Sequence, residues 1–193
     1  HKNKHVGTYG KFGILSFNGN KIITSGTGGA ILTQNKNLAN EARKLVQTSK
    51  LKHKFRFIHD KLGFNYRMSN VHAALGLSQI KRFKKILVEK KKIFNFYKKN
   101  FNDNDFFHLI KESKNKKFNY WLQTIVLNKK HTNQVNLILN QLYKKGIYLR
   151  LGWDLMPNLK HLRKFPSMKI DIAKKIQKRI IHLPSSSFLA RKI

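Results

Sequence analysis

Short apolar runs alternate with glycine, asparagine and serine between residues 12 and 33 (FGILSFNGNKIITSGTGGAILT). This pattern predicts two or three short strands joined by tight turns, a hairpin-like unit. From residue 37 to 49 the period changes, because Leu38, Ala42, Leu45 and Val46 fall on one face of a helix. The beginning of the chain therefore predicts a strand unit followed by an amphipathic helix.

One long helix is predicted over about residues 70–100. Ser69 or Asn70 can cap its N-terminus. Apolar or small residues then recur at alternating steps of three and four, with Lys90 as the one gap: Ala73, Gly76, Ile80, Phe83, Leu87, Phe94, Tyr97 and Phe101. A helix of this length spans roughly 45 Å, which is enough to connect two domains. Its lysine-rich outer face is interpreted as a solvated surface.

The pattern changes again after this helix. It predicts a strand at 119–127, a helix at 134–145 that ends at Gly146, a strand at 147–151 and a final helix at 170–181. Alternating strands and helices of these lengths indicate a small α/β domain. The predicted domain boundary lies at the end of the long helix, so the domains are 1–100 and 101–193.

Composition adds a second hypothesis. The 193 residues include 41 Lys+Arg and 8 Asp+Glu, for a formal net charge of +33. Such a charge is typical of proteins that bind nucleic acid or anionic membranes. However, only 8 of the basic residues are arginine, and the abundant Lys, Asn, Ile and Phe share A/T-rich codons. Genome composition is the favoured interpretation, with no nucleic-acid or membrane partner expected, and a basic nucleic-acid-binding module is the alternative.

Several classes of protein are excluded by simple counts. No apolar run approaches the 18 residues of a membrane-spanning helix. The absence of cysteine excludes disulfides and thiolate chemistry, and it suits a reducing, cytoplasmic location. His53, His59 and His72 show no metal-ligand spacing, so no metal site is expected.

Lys21 is the residue that points to chemistry. It lies among small and polar residues between apolar strand segments, with Ser16 before it and four glycines, at 19, 26, 28 and 29, close by. A lysine that is partly buried loses its proton more easily, and a neutral amine can form a Schiff base with an aldehyde or ketone. The backbone N–H groups of such a glycine-rich loop can bind phosphate. Taken alone, one of 33 lysines is more often a surface charge.

The segment at residues 4–33 (KHVGTYGKFGILSFNGNKIITSGTGGAILT) resembles the cofactor-lysine region of the DegT/DnrJ/EryC1/StrS sugar aminotransferases. Residues 63–76 (GFNYRMSNVHAALG) resemble the block that leads into the family's interdomain helix. Looser matches at 120–122, 150–153 and 183–186 fit the subgroup that aminates nucleotide-linked N-acetyl keto-sugars, of the legionaminic acid or bacillosamine type. The resemblance covers essentially the whole chain and corresponds to the C-terminal half of family members.

The resemblance implies a role for each matching residue. Lys21 would form the Schiff base with pyridoxal 5′-phosphate and act as general acid and base. Ser16 would bind the cofactor phosphate, and Asn65 would reach the phosphate from the partner subunit, which implies a homodimer with shared active sites. Arg67 would support that loop or face the substrate. Trp153 is a candidate substrate residue, although packing explains it as well, and Arg150 is another.

The expected fold is therefore the C-terminal portion of a fold-type I pyridoxal-phosphate transferase, with the end of the large domain, the interdomain helix and the small α/β domain. The expected reaction moves an amino group from glutamate to a keto group of a nucleotide-linked sugar, for polysaccharide or glycan biosynthesis. The family's first half supplies the acid that pairs with the pyridinium nitrogen, so the chain alone is expected to be inactive. Lys21 itself argues against the dehydratase relatives, which have lost this lysine.

Overall fold

The computed structural model describes residues 1–101 and 104–193. The chain divides into two compact units. The first unit contains His1–Lys84 with Lys114–Lys117, and the second contains Lys85–Ser113 with Phe118–Ile193. The division falls within the helical region, ahead of the boundary expected near residue 100. None of the helices in the described part of the chain is both long and apolar enough to cross a membrane.

The first unit begins with two antiparallel strands, β1 (Gly13–Ser16) and β2 (Gly29–Leu32). They pair in the register Gly13 with Leu32 and Ser16 with Gly29. The predicted strand pair is therefore confirmed, but the expectation that tight turns join the strands directly is wrong, because one long loop, residues 17–28, connects them and contains the turn from Asn18 to Lys21. Residues 22–24 do not form a strand despite their apolar character. Lys21 before them and Ser25 after them form hydrogen bonds within the loop, to the carbonyls of Asn18 and Phe17.

The predicted helix at 37–49 is confirmed as α1 (Lys36–Val46). The side chain of Asn35 caps it by accepting a hydrogen bond from the Leu38 N–H at 3.0 Å. Thr48 and Ser49 have φ of 62° and 52°, so the helix ends before them. Two short strands that the sequence did not predict follow, β3 (Lys50–Leu51) and β4 (Ile58–His59), which pair antiparallel.

The single long helix is wrong. The structure has two helices, α2 (Asn70–Lys81) and α3 (Phe83–Asn100). Ser69 caps α2, as predicted, and accepts a hydrogen bond from the His72 N–H at 3.4 Å. The break is at Arg82, whose N–H turns back to the carbonyls of Gln79 and Ile80. Periodicity did not reveal this break because the apolar steps continue through it.

The second unit is built on a four-stranded sheet with the strand order β5-β6-β8-β7, in which every pair is antiparallel. Its strands are β5 (Phe107–Leu109), β6 (Gln123–Leu127), β7 (Arg150–Leu151) and β8 (Ile180–Leu183), and its further helices are α4 (Val135–Lys144) and α5 (Asp171–Gln177). Short 3-10 helices lie at Val6–Thr8, Lys129–Gln134, Met156–Asn158 and Ser187–Arg191. The mixed α/β class is confirmed.

The sequence predictions for this unit are confirmed for β6, α4 and β7, with shorter bounds. Gly146 follows α4 with a φ of +73°, the conformation that glycine adopts most readily at the end of a helix. The predicted helix at 170–181 is wrong in its last part, which belongs to β8. β8 forms there because Ile181 is fully buried between β6 and β7.

The core of the second unit joins one face of the sheet to α3 and α4. Its buried members are Phe94, Leu109, Tyr120, Ile125, Leu127, Val135, Ile181 and Leu183. Phe94 and Tyr120 pack with their ring centroids 4.9 Å apart. This core covers one face of the sheet with α3 and α4.

Candidate active site

Lys21 lies on the loop between β1 and β2, in a half-buried position. Its backbone N–H donates to the Asn18 carbonyl at 3.0 Å, which closes a turn from Asn18 to Lys21. The Asn18 side chain accepts a hydrogen bond from the Gly19 N–H at 2.9 Å and so fixes the start of this turn. The lysine is therefore presented by a turn with a defined shape.

The rest of the loop is organised around Phe17 and Ser25. The Phe17 carbonyl accepts hydrogen bonds from the Ser25 N–H and the Thr24 hydroxyl, both at 3.0 Å. The Phe17 N–H donates to the Gly28 carbonyl at 2.9 Å. Ser25 is fully buried, and its hydroxyl donates to the Thr27 carbonyl. Ser25 was not singled out by the sequence analysis, and a lone serine between two loop segments carries no signal that would have identified it.

Two glycines bring the loop against the segment at 63–76. Gly28 has a φ of +90°, and a Cβ on it would lie 3.0 Å from the Met68 Cε. Gly26 has a φ of +85°, and a Cβ there would lie 3.7 Å from the His72 ring. The two sequence motifs that carry the family resemblance are therefore neighbours in the fold.

Ser16 is exposed at the end of β1. Its Oγ accepts a weak hydrogen bond from the Asn18 N–H at 3.4 Å, and a hydroxyl that accepts one hydrogen bond can still donate its proton to an anion. No acidic residue precedes Glu41 in the sequence, so the loop itself carries no negative charge that would oppose a phosphate. The hydroxyl and the half-buried lysine on one short loop fit the phosphate and aldehyde groups of pyridoxal phosphate.

Asn65 and Arg67 line one cavity of about 720 Å³. Apart from Leu51, its other lining residues are basic or polar: Gln47, Thr48, Lys50, Lys52, His53 and Lys54. Asn65 is exposed, and its backbone forms an isolated bridge with Gln47 that fixes its position beside α1. Lys21 and Ser16 are not among the residues that line this cavity. The structure therefore brings Asn65 and Arg67 together, on a surface that suits an anionic group.

Arg150 and Trp153 belong to the second unit. Arg150 lies on β7, and Trp153 follows that strand with an exposed indole. Trp153 stacks on Trp121, with the ring centroids 5.9 Å apart and the planes at 26°, and lies 5.6 Å from the His182 ring. Packing against Trp121 accounts for one face of the Trp153 indole, as the sequence analysis allowed. His182 was not identified by the sequence analysis, because it directly follows the helix predicted at 170–181.

Lys90, the gap in the apolar stripe, is buried in the second unit. Its Nζ donates to the carbonyls of Trp121 at 3.0 Å and Ser185 at 2.5 Å. Burial lowers the pKa of Lys90 to about 8, because the charged form loses its hydration. The two carbonyls explain how a lysine can occupy a position that the helical period reserves for an apolar residue.

The fold closely matches that of a solved aminotransferase structure. "Helicobacter pylori PseC, aminotransferase involved in the biosynthesis of pseudoaminic acid" superposes with a TM-score of 0.89 and 26% identity, over 98% of this chain and 52% of that one. The chain belongs to the DegT/DnrJ/EryC1/StrS aminotransferase family, whose model matches residues 1–192. The family resemblance inferred from the two motifs is therefore confirmed.

Curated relatives agree with this assignment. The chain is 38% identical over 126 residues to the GDP-perosamine synthase of Escherichia coli O157:H7. The aligned segment covers 65% of this chain and 34% of the relative. It is 34% identical over 155 residues to the UDP-4-amino-4,6-dideoxy-N-acetyl-beta-L-altrosamine transaminase of Campylobacter jejuni, covering 79% and 41%. The chain thus spans 34% and 41% of these two relatives and about half of the PseC structure.

Proposed function

We propose that the protein containing this chain is a pyridoxal-phosphate-dependent aminotransferase that moves an amino group from glutamate to the keto group of a nucleotide-linked sugar. The observation that carries this proposal is the position of Lys21, half-buried on a loop that packs against the second family motif. The names of the two curated relatives, one a GDP-sugar and one a UDP-sugar enzyme, support the substrate class and leave the nucleotide open. The N-acetyl keto-sugar subgroup belongs to the same proposal.

Lys21 supplies the amine and the proton transfer. When bound, pyridoxal phosphate supplies an aldehyde that bonds to amines and a conjugated ring that accepts electrons. The Nζ of Lys21 removes a proton from the Cα of glutamate in the first half of the reaction. In the second half it delivers a proton to the sugar carbon that receives nitrogen. The turn from Asn18 to Lys21 limits the positions of the amine, which is what repeated proton transfer at one place requires.

Ser16 and Asn65 hold the phosphate in this proposal. The Ser16 hydroxyl is exposed at the end of β1 and donates to a phosphate oxygen. The Asn65 amide does so in the active site of a partner subunit, so that the functional protein is a homodimer. The basic cavity that Asn65 and Arg67 share supports this role, because its lysines attract an anion.

Arg67, Arg150 and Trp153 are proposed as substrate-side residues. Arg67 supports the loop or contacts an anionic part of the substrate, and it lines two cavities of the first unit, of about 720 and 800 Å³. Arg150 and Trp153 provide a guanidinium and an indole face in the second unit. A cytoplasmic location remains a prediction from the sequence.

The proposal is tested with the full-length protein by measuring transfer of nitrogen from labelled glutamate to UDP- and GDP-linked keto-sugars. Lys21→Ala is expected to lower the rate by about 10²–10⁴-fold or more, since general acid–base catalysis alone contributes that much. Lys11→Ala is the matched control, because Lys11 is exposed and precedes β1, and it should retain the full rate. Undiminished amination by Lys21→Ala would show that the proposed mechanism is wrong.

A further inference from the structure

The sheet of the second unit has one buried face and one partly open face. Ile181 and Leu183 of β8 are buried on the core side. Ile180 and His182, which alternate with them along the strand, project from the other face. His182 is paired with Thr124 of β6 on one side and with Arg150 of β7 on the other. Directly paired residues of antiparallel strands project from the same face, so these three side chains form a row on the open face.

His182 has one ring nitrogen without a partner. Its Nδ1 is 3.0 Å from the Thr124 hydroxyl. Its Nε2 is buried and has no hydrogen-bond partner within residues 1–101 and 104–193. Burial, and then the positive charge of Arg150, lower the pKa of His182, which favours the neutral form of the ring. A buried polar atom of this kind is rare in proteins and calls for a hydrogen-bonding partner.

A cavity of about 960 Å³ lies beside this ring. His182 and Trp153 both line it, and the indole of Trp153 stacks on Trp121, which does not line the cavity. Most of the remaining lining is apolar: Leu155, Met156, Ile170, Ile172, Ala173, Ile176 and Ile180. The charged residues in the lining are Asp154, Lys169 and Asp171, all exposed. The cavity has the size and the balance of apolar walls and few polar groups that ligand sites have.

We infer that this cavity binds the nucleobase of the nucleotide sugar, with the ring against Trp153 and a polar edge of the base at the His182 Nε2. A planar heteroaromatic ring satisfies both features at once, because it stacks on an indole and carries hydrogen-bonding groups in its own plane. Arg150, next to His182 on the same face, then lies where it can form two hydrogen bonds to a phosphate of the nucleotide. The inference rests on the proposed function for the identity of the ligand.

The assignment extends the role of His182 beyond packing. A neutral imidazole offers either an N–H or a lone pair at Nε2, depending on the tautomer that the Thr124 hydroxyl favours. His182 can therefore hydrogen-bond to a carbonyl or to a ring N–H of a base. An apolar ligand without a polar edge would leave this nitrogen unpaired, so the site favours a base over a hydrocarbon chain.

Equilibrium binding to the full-length protein, measured by calorimetry, tests the inference without any need for activity. The probes are UDP, GDP and inorganic pyrophosphate, which has the phosphates and no base. At least one nucleoside diphosphate should bind more tightly than pyrophosphate. Trp153→Ala should weaken that binding by about 10- to 100-fold, as loss of base stacking does. His182→Ala should weaken it by about 3- to 10-fold, as loss of one neutral hydrogen bond does.

Two variants guard against an indirect effect. His182→Gln, whose amide can replace the Nε2, should restore binding to within about threefold of the unsubstituted protein. His108→Ala is the matched control, because His108 is an exposed histidine on β5 that does not line the cavity, and it should bind the nucleotide normally. Pyrophosphate binding should be the same in the His182 and Trp153 variants as in the original protein.

Three results would overturn the inference. The first is that nucleoside diphosphates bind no more tightly than pyrophosphate, and the second is that nucleotide affinity is unchanged in both Trp153→Ala and His182→Ala. The third is that these two variants lose as much affinity for pyrophosphate as for the nucleotide. These outcomes are distinct from a failure of the proposed function. If amination depends on Lys21 and nucleotide binding ignores His182 and Trp153, only the base site is wrong. If the base site binds as expected and no keto-sugar is aminated, only the proposed reaction is wrong.

Discussion

The loop that carries Lys21 and the sheet that carries His182 are stabilised in different ways. Within the described residues, every buried hydrophobic side chain belongs to the second unit. The buried positions of the first 84 residues are Gly13, Ser25 and Ser49. The loop is therefore shaped by backbone hydrogen bonds and glycine conformations, whereas the sheet is shaped by apolar packing.

This difference matters for function. Large apolar side chains of the first unit remain exposed, such as Ile14 at 71% and Phe55 and Phe57 at 80% each. Within this chain the first unit buries little apolar surface, and its loop geometry is held by a few specific hydrogen bonds. The second unit offers a rigid face on which binding groups can be held in place. Substitutions in the two units should accordingly have different consequences.

The largest effect on stability is expected in the sheet. Leu127→Ala removes a side chain that is 0% exposed at the centre of the core, and it should lower the free energy of unfolding by about 2–5 kcal/mol. Chemical denaturation followed by circular dichroism measures this loss. Ile172→Ala is the comparison, because Ile172 is 74% exposed, and its effect should stay within about 0.5 kcal/mol. Equal losses for the two variants would contradict the core described above.

A pair of glycine substitutions compares the units directly. Gly28 and Gly146 both have positive φ, at +90° and +73°. Alanine should cost about 1–2 kcal/mol of backbone strain at either position. At Gly28 the strain falls on the loop that carries Lys21, and a Cβ there also lies 3.0 Å from the Met68 Cε, whereas a Cβ at Gly146 has nothing within 4 Å.

Gly28→Ala should therefore weaken pyridoxal-phosphate retention as well as stability, and Gly146→Ala should affect stability alone. Dialysis against buffer followed by measurement of the retained cofactor distinguishes the two variants. The comparison fails if Gly146→Ala releases as much cofactor as Gly28→Ala.

The smallest expected effect concerns pH. The pKa of Lys90 is lowered from 10.5 to about 8 in the folded protein, so the unfolded chain binds more protons between those values. The free energy of unfolding should therefore rise as pH is raised from 8 to 9, by about 1 kcal/mol. Lys90→Met should remove this rise, and Lys85→Met, which alters an exposed lysine of the same helix, should keep it. The same pH dependence in both variants would show that Lys90 is not its source.

Much of the chain's architecture could be predicted from its sequence. The β1–β2 pair, α1, β6 and α4 follow from local periodicity, and Ser69 marks the start of α2 by its capping chemistry. The two-motif resemblance identified the family. These features share a local origin, since each is encoded within a few neighbouring residues.

The break at Arg82 was missed because it interrupts no apolar period. The other missed features depend on distant contacts, and β8 looks helical until its pairing with β6 and β7 is known. Lys90 interrupts the apolar stripe of its helix in the sequence. The two carbonyls that allow it to be buried, those of Trp121 and Ser185, lie far from it along the chain. His182 gains its role from strands on either side of it. No window of neighbouring residues contains this information.

The central claim is that Lys21 is the residue that bonds to pyridoxal phosphate. Borohydride reduction of the full-length protein with its cofactor, followed by proteolysis and mass spectrometry, tests it most directly, because reduction makes the lysine–cofactor bond permanent. The account predicts the phosphopyridoxyl label on the peptide that contains Lys21, and loss of the label in Lys21→Ala but not in Lys11→Ala. A label on another lysine, or a label that persists in Lys21→Ala, would contradict it.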